Sequence, residues 1–237
     1  MRLDRLLVTL GVGSRKEVQA MIRKGCVTLN GGVNTRPESD CTEQPEVELD
    51  GRRLDTRLMR HVVMNKPGNV LTAARDRKQK TVMDLLPPEY ASMECMPVGR
   101  LDRDTTGVLL FTCDGEMAHR LLSPRHHVEK VYAARIYGQL TEAEADRLRL
   151  GVDLGDFVTA PARVEVLEHG ENDLVRLTIS EGKFHQVKRM FESVGHTVLR
   201  LHREAFGPLR AEDLEEGAWR ELSDGEIRAL RACCGLD

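Results

Sequence analysis

The apolar positions near the start of the chain predict a short helix. Ser14 and Glu17 have the spacing of a capping box, in which each side chain bonds to the backbone of the other residue. Apolar residues then recur at helical spacing, at Val18, Met21 and Ile22. The helix is expected to end at Gly25, because glycine readily adopts the left-handed conformation that follows many helices.

Two strands are predicted directly after this helix. Residues 26–30, with the sequence CVTLN, have the alternation of a half-buried strand. Asn30-Gly31 is a strong signal for a tight hairpin turn into a second strand. The compact unit is expected to end near Gly51, and residues 52–60 are interpreted as a charged linker.

The rest of the chain mixes short strands with helices. Strands are predicted from apolar or alternating runs at residues 61–65, 108–113, 130–137 and 175–179. Helices are predicted at residues 116–122, after the capping residues Thr141 and Ser223, and at Val187, Met190, Phe191 and Val194. Because strands and helices do not alternate strictly, we predict an α+β fold with a mainly antiparallel sheet. The predicted domains are residues 1–58, which include the linker, and residues 59–237.

Composition narrows the class of protein. Of the 237 residues, 41% are hydrophobic, which is enough for a core and too many for a disordered chain. The apolar runs are short, so no membrane span is predicted. The first residues do not resemble a signal peptide, so a cytoplasmic location is expected. None of the six cysteines forms a CxxC pair, and we expect neither a metal site nor a disulfide.

Charge is distributed unevenly, although the formal net charge is only −3. Residues 1–36 contain seven lysines and arginines against two acids, and residues 183–210 contain six against two. Acidic residues collect instead in residues 37–50 and 211–237. Two separate basic segments on a mildly acidic chain favour a polyanionic partner that docks in a defined orientation.

The densest polar cluster lies at residues 99–107, with the sequence GRLDRDTTG, directly before a predicted strand. Glycines at both ends fit a loop whose backbone turns tightly and can approach a ligand. Taken alone, the cluster could be an Asx-turn network between Asp104 and the threonines, with the arginines in surface ion pairs. A catalytic loop is the alternative interpretation.

Three further segments give the loop its context. They are residues 123–132 (SPRHHVEKVY), residues 181–191 (EGKFHQVKRMF) and residues 201–207 (LHREAFG). Together with GRLDRDTTG they resemble the pseudouridine synthases of the RsuA branch over nearly the whole chain. Residues 1–50 resemble the small RNA-binding module named after ribosomal protein S4, with RLD, SR, KG and VTLNG in the same order. The resemblance implies an S4-like RNA-binding domain followed by a larger mixed α/β catalytic domain.

The resemblance also assigns roles to particular side chains. Asp102 matches the catalytic aspartate of these enzymes, and Arg100 matches a neighbouring arginine that helps to displace the target base. Tyr132 matches the tyrosine that packs on the target uracil, although a tyrosine on a strand can equally be a core residue. Lys188 matches the basic residue that pairs with the catalytic aspartate, where many relatives have arginine. Leu201 matches an apolar residue of the pocket.

Basic and histidine side chains in three segments are expected to contact RNA. They are Arg15, Lys16, Arg23, Lys24, Arg125, His126, His127, Lys183, His185 and Arg189. For the N-terminal helix, the alternative is an ordinary solvated face. Adjacent histidines on an extended segment point to opposite sides, which disfavours metal chelation.

The resemblance implies that the protein isomerises a specific uridine to pseudouridine in ribosomal RNA. The segments look most like the 16S enzymes, which implies uridine 516 as the target. The reaction has no redox change and no net group transfer, so no cofactor is expected. The expected partner of a monomeric protein is ribosomal RNA, free or in an assembly intermediate. The alternatives are an inactive RNA-binding assembly factor and an enzyme acting on free nucleotides.

Overall fold

The N-terminal residues form two helices on a small antiparallel sheet. In the computed structural model, which describes residues 1–236, this unit comprises α1 (Leu3–Thr9), α2 (Arg15–Arg23), β1 (Val27–Leu29), β2 (Gly32–Asn34), β3 (Val47–Leu49) and β4 (Arg52–Arg53). The strand order is β2-β1-β3-β4. Apolar side chains from both helices and from the sheet share one core, which includes Leu3, Leu7, Val18, Ile22, Val27 and Val47.

The local signals at α2 and its hairpin are confirmed. Both bonds of the capping box form, from the Glu17 backbone to Ser14 and from the Ser14 backbone to Glu17. Asn30 and Gly31 have φ values of 49° and 81°, which a tight hairpin turn of this type requires.

The interpretation of residues 52–60 as a linker is wrong at both ends. Arg52–Arg53 forms β4, which pairs with β3. Arg60 is buried and forms an ion pair with Glu221, near the other end of the chain. Arg57 also reaches Glu221, so this segment is fastened to the larger sheet.

The larger sheet is built from eight strands. They are β5 (His61–Lys66), β6 (Met96–Pro97), β7 (Thr106–Thr112), β8 (Lys130–Ile136), β9 (Arg163–Glu168), β10 (Leu174–Ile179), β11 (Val198–Phe206) and β12 (Trp219–Glu221). The order is β12-β5-β7-β11-β8-β10-β9, with β6 beside β7. Every pairing is antiparallel except that of β7 with β11, so the predicted α+β class is confirmed.

Helices cover the sheet and leave a core on each side. The helices are α3 (Pro88–Ser92), α4 (Gly115–Leu122), α5 (Glu142–Leu150), α6 (Gln186–Ser193) and α7 (Asp224–Cys233). Strand β7 is buried on both faces, since Leu109 and Phe111 enter one core and Val108 and Leu110 enter the other. This explains why its sequence is a continuous apolar run. Within residues 1–236, no helix has the length and apolar character needed to cross a membrane.

Candidate active site

The loop between β6 and β7 carries the GRLDRDTTG cluster. Lys66, at the end of β5, holds this loop in place. This side chain is fully buried, and its Nζ donates to the carbonyl oxygens of Arg103 and Thr105 at 3.3 and 2.9 Å. Burial lowers the pKa of Lys66 to about 8, although nearby carboxylates oppose that shift. Thr72 bonds to both the backbone NH and the carbonyl oxygen of Leu101. The loop is therefore held in one shape by groups that the sequence analysis did not single out.

Asp102 lies in a pocket between two basic side chains. The Nε2 atom of His185 is 3.4 Å from its Oδ1, and the Nζ atom of Lys188 is 3.4 Å from its Oδ2. The carboxylate is about one quarter exposed, so it faces the pocket while remaining accessible. Asp102 is therefore held close to the ammonium group of Lys188 at the edge of the pocket.

Lys188 has a second and closer partner, which the resemblance did not imply. Its Nζ lies 2.7 and 2.9 Å from the two carboxylate oxygens of Asp104. The hydrogen bond from Lys188 holds the pKa of Asp104 below its usual value. Burial acts to lower the pKa of Lys188, but the bond to Asp104 and both negative charges outweigh it, so this pKa is raised. Because an ammonium is a point charge, one lysine can lie between two carboxylates.

The Asx-turn interpretation of Asp104 therefore does not describe the loop. Its carboxylate bonds to Lys188 on α6, which is 84 residues away in sequence. The loop is tied to the helix that carries the other basic side chains.

Tyr132 and Leu201 line the pocket together with Asp102 and Arg100. Tyr132 extends from β8 and is buried, and Leu201 is on the neighbouring strand β11. Within residues 1–236 the Tyr132 hydroxyl forms no hydrogen bond and is not one of the fully buried unpaired polar atoms, so it remains accessible together with the ring. Arg100 is exposed at the same pocket.

The segment before α6 contributes Lys183 and His185 to the pocket. Its shape depends on the buried Gln186, which bonds to the Glu181 carboxylate at 2.8 Å and accepts a bond from the Lys183 backbone. His185 adopts a left-handed conformation with φ of 49°, and its ring stacks on Phe184 at 3.8 Å between centroids. This aromatic pair is on the surface beside the pocket, since Phe184 is 74% exposed.

The other predicted RNA contacts lie outside the pocket. Arg189 turns away from it and pairs with Asp156 and the Leu154 carbonyl. Arg125, His126 and His127 belong to a short 3₁₀ turn and the residue after it. The N-terminal cations Arg15, Lys16, Arg23 and Lys24 are all exposed on α2 and its C-cap. Over residues 1–236, no group of three or more metal-ligating side chains is placed to hold a metal ion.

The chain was compared with known protein families and proteins. A family model described as RNA pseudouridylate synthase matches residues 60–193, and the S4 domain model matches residues 1–47. The RNA pseudouridine synthase YtzG of Bacillus subtilis, which is named as uncharacterised, is 42% identical over 97% of this chain and 98% of that protein. The ribosomal small subunit pseudouridine synthase A of Yersinia pestis is 39% identical over 98% of this chain and 99% of that protein.

A solved structure agrees with these matches. The crystal structure of a pseudouridylate synthase superimposes with a TM-score of 0.68 and 32% identity, over 97% of this chain and 99% of that chain. The chain therefore belongs to the RNA pseudouridylate synthase family, whose members isomerise uridine in RNA. With an S4 domain before the catalytic domain, it is a pseudouridine synthase of the RsuA type.

Proposed function

We propose that the protein converts one specific uridine of 16S ribosomal RNA, uridine 516, to pseudouridine, with Asp102 as the catalytic carboxylate. The observation that carries the proposal is the position of Asp102, in the same pocket as the Tyr132 ring and beside Lys188 and His185. One carboxylate, one stacking surface and nearby positive charge are what this reaction requires.

The chemistry begins with the bond between N1 of uracil and C1′ of ribose. That bond breaks, the detached uracil turns, and a new bond forms between C5 and C1′ before the C5 proton is lost. Asp102 acts either by attacking C1′ or by removing the C2′ proton. Both routes need an ionised carboxylate, and Lys188 provides the compensating charge 3.4 Å away.

The target base must leave its stacked position before it can enter the pocket. Extruding a base costs a few kcal/mol in total. Stacking on the Tyr132 ring can return about 1–3 kcal/mol of that cost. Arg100, exposed at the pocket, is placed to contact the RNA from which the base is removed.

The choice of small-subunit RNA rests on the relatives. The small-subunit enzyme of Yersinia pestis is 39% identical, whereas the large subunit pseudouridine synthase B of Bacillus subtilis is 35% identical over 98% of this chain. Large-subunit RNA is therefore the second candidate substrate, and it requires the same pocket.

A tritium-release assay separates the candidate substrates. The purified protein is incubated with small-subunit RNA, large-subunit RNA or free UMP, each labelled with tritium at C5 of uridine. We expect release from small-subunit RNA equivalent to one uridine per molecule, and none from UMP. Release from large-subunit RNA alone would overturn the choice of substrate. Binding without release from either RNA would favour an assembly factor.

Substitution of Tyr132 tests the stacking role. Tyr132→Phe is expected to keep substantial activity, because stacking needs the ring and the hydroxyl has no partner among residues 1–236. Tyr132→Ala is expected to lose most activity, since about 1–3 kcal/mol of stacking is lost, equivalent to roughly 5- to 150-fold in rate. Single-turnover rates measure both effects. Equal inactivity of the two variants would show that the hydroxyl takes part in the chemistry.

We also propose that α2 docks the RNA while the larger domain carries out the reaction. Lys16 and Arg23 are exposed on this helix, in a segment with a strong excess of positive charge. Neither forms an ion pair among the residues that the structure describes, so both are available to phosphate groups.

Changing Lys16 and Arg23 together to Ala is therefore expected to weaken RNA binding at moderate salt. The slope of log K against log salt should flatten by roughly one to two units, because each lost phosphate contact contributes about 0.7–0.9. The single-turnover rate at saturating RNA should barely change. A double substitution of the exposed Lys78 and Arg228 is the matched control and should leave the slope unchanged. An unchanged slope in the α2 variant would show that this helix does not touch RNA.

A further inference from the structure

Two buried cations line the same pocket as Asp102, and no function described above uses them. Lys130 is 6% exposed and Arg203 is 3% exposed, and both contribute to the pocket wall. Arg203 lies directly opposite Tyr132 where β11 pairs with β8, and Lys130 precedes Tyr132 by two residues. Since side chains two positions apart on a strand share a face, both cations lie on the face that presents the Tyr132 ring.

Neither cation forms an ion pair with a carboxylate of residues 1–236. Within residues 1–236, no Asp or Glu oxygen lies within 4.0 Å of either charged group. Lys130 Nζ donates to the Ser180 carbonyl oxygen at 3.1 Å, and Arg203 Nε donates to the Val108 carbonyl oxygen at 2.7 Å. Among the described residues, the Nη2 of Arg203 is buried without a hydrogen-bond partner. Glu181 opposes the lowering of the Lys130 pKa through its charge, but its carboxylate is held by Gln186 and by the Ala160 backbone.

Burying two cations without counter-ions lowers the stability of the folded protein unless a ligand supplies the opposite charge. Buried charges are normally paired, and a desolvated cation without a counter-ion favours its neutral form. Burial, with the nearby charge of Arg203, lowers the pKa of Lys130 to about 8. The Phe206 ring lies near both cations, 5.6 Å from Lys130 Nζ and 5.2 Å from Arg203 Cζ, but it carries no formal charge. A cation pair without a carboxylate partner among residues 1–236, in the wall of a reaction pocket, is suited to negative charge that appears on the substrate.

We propose that Lys130 and Arg203 form an electrostatic subsite that stabilises the negative charge on uracil while the base is detached from ribose. When the N1–C1′ bond breaks, its electron pair stays on N1, and the charge is shared with the carbonyl oxygens O2 and O4. The pair returns to ribose when C5 bonds to C1′, and the C5 proton then leaves. The subsite is needed whether Asp102 attacks C1′ or removes the C2′ proton, so this inference rests on the proposed reaction but not on either route.

The test compares Lys130→Met with Lys130→Arg on an RNA that the wild-type protein modifies. Lys130→Met keeps the length of the side chain and removes its charge. We expect its single-turnover rate at saturating RNA to fall by about 10²-fold or more, the loss that follows removal of one donor to a developing anion. Lys130→Arg should recover part of that rate. RNA affinity should stay within a few-fold, and thermal stability should not fall, because a desolvated charge has been removed.

A second substrate distinguishes charge stabilisation from positioning. RNA with 5-fluorouridine at the target position releases a base whose anion is already stabilised by the electron-withdrawing fluorine. For both substrates, the RNA is digested with nuclease and the loss of the target nucleoside is measured by chromatography. The fold-loss caused by Lys130→Met should be smaller with 5-fluorouridine. The exposed Lys78→Met serves as the control and should behave as wild type on both RNAs.

Each outcome has one meaning. An equal fold-loss on both substrates, an unchanged rate on uridine, or a loss explained by a lower melting temperature would overturn the subsite. A wild-type protein that is inactive on every ribosomal RNA tested would overturn the proposed reaction and, with it, the subsite that depends on that reaction.

Discussion

Asp102→Asn is expected to abolish pseudouridine formation while leaving RNA affinity within a few-fold of wild type. The substitution keeps the size of the side chain and removes the negative charge that either route of the reaction requires. The rate should fall by more than about 10⁴-fold, as expected when a residue of the chemical step is removed. Binding should persist, because phosphate contacts supply most of the affinity for RNA.

Asp104→Asn is the matched control. Asp104 is in the same loop and bonds to the same lysine, but its side chain is 68% exposed, compared with 26% for Asp102. Its loss frees Lys188 to approach Asp102, so much of the activity should remain. The two variants are compared by single-turnover rates and by RNA binding at one salt concentration. Near wild-type turnover in Asp102→Asn, or equal loss in both variants, would contradict the assignment.

Gly107→Ala is expected to cause the largest loss of stability among single substitutions near the site. Gly107 has φ of 107° at the only parallel pairing of the larger sheet within residues 1–236. A Cβ atom here would come within 2.7 Å of the Arg203 backbone nitrogen and closer still to the Arg203 carbonyl oxygen. Backbone strain and overpacking together should lower the free energy of unfolding by at least about 3 kcal/mol.

Urea unfolding measures this change, and Gly115→Ala provides the control. Gly115 is the first residue of α4, and a Cβ atom there would meet nothing within 4 Å. Its substitution should be neutral or slightly stabilising, since alanine favours a helix more than glycine does. If Gly107→Ala unfolds at the same urea concentration as Gly115→Ala, then β7 and β11 do not require their close approach.

The local elements of the fold could be predicted because their causes lie within a few residues. The capping boxes at Ser14, Thr141 and Ser223 each join residues three positions apart, and all three form. The attachment of residues 52–60 could not be predicted in this way, because Arg60 pairs with a glutamate 161 positions later. No short-range pattern records such a contact.

In the candidate site too, some residues could be predicted from the sequence, whereas contacts between residues far apart in the chain could not. The resemblance indicated Asp102, Tyr132, Lys188 and Leu201, and these side chains do line one pocket. It did not indicate the bond between Lys188 and Asp104, which forms only when α6 packs beside the loop. The buried lysine at position 66 was also missed, because lysine is usually a surface residue and its two partners in the catalytic loop lie 37 and 39 positions away.

The most direct test of the account maps pseudouridine in ribosomal RNA from cells that lack this protein. The map is repeated after wild-type protein or the Asp102→Asn variant is supplied. The account predicts that one pseudouridine of small-subunit RNA disappears, that wild type restores it, and that the variant does not. A complete set of pseudouridines in the deletion strain, or restoration by Asp102→Asn, would contradict the account.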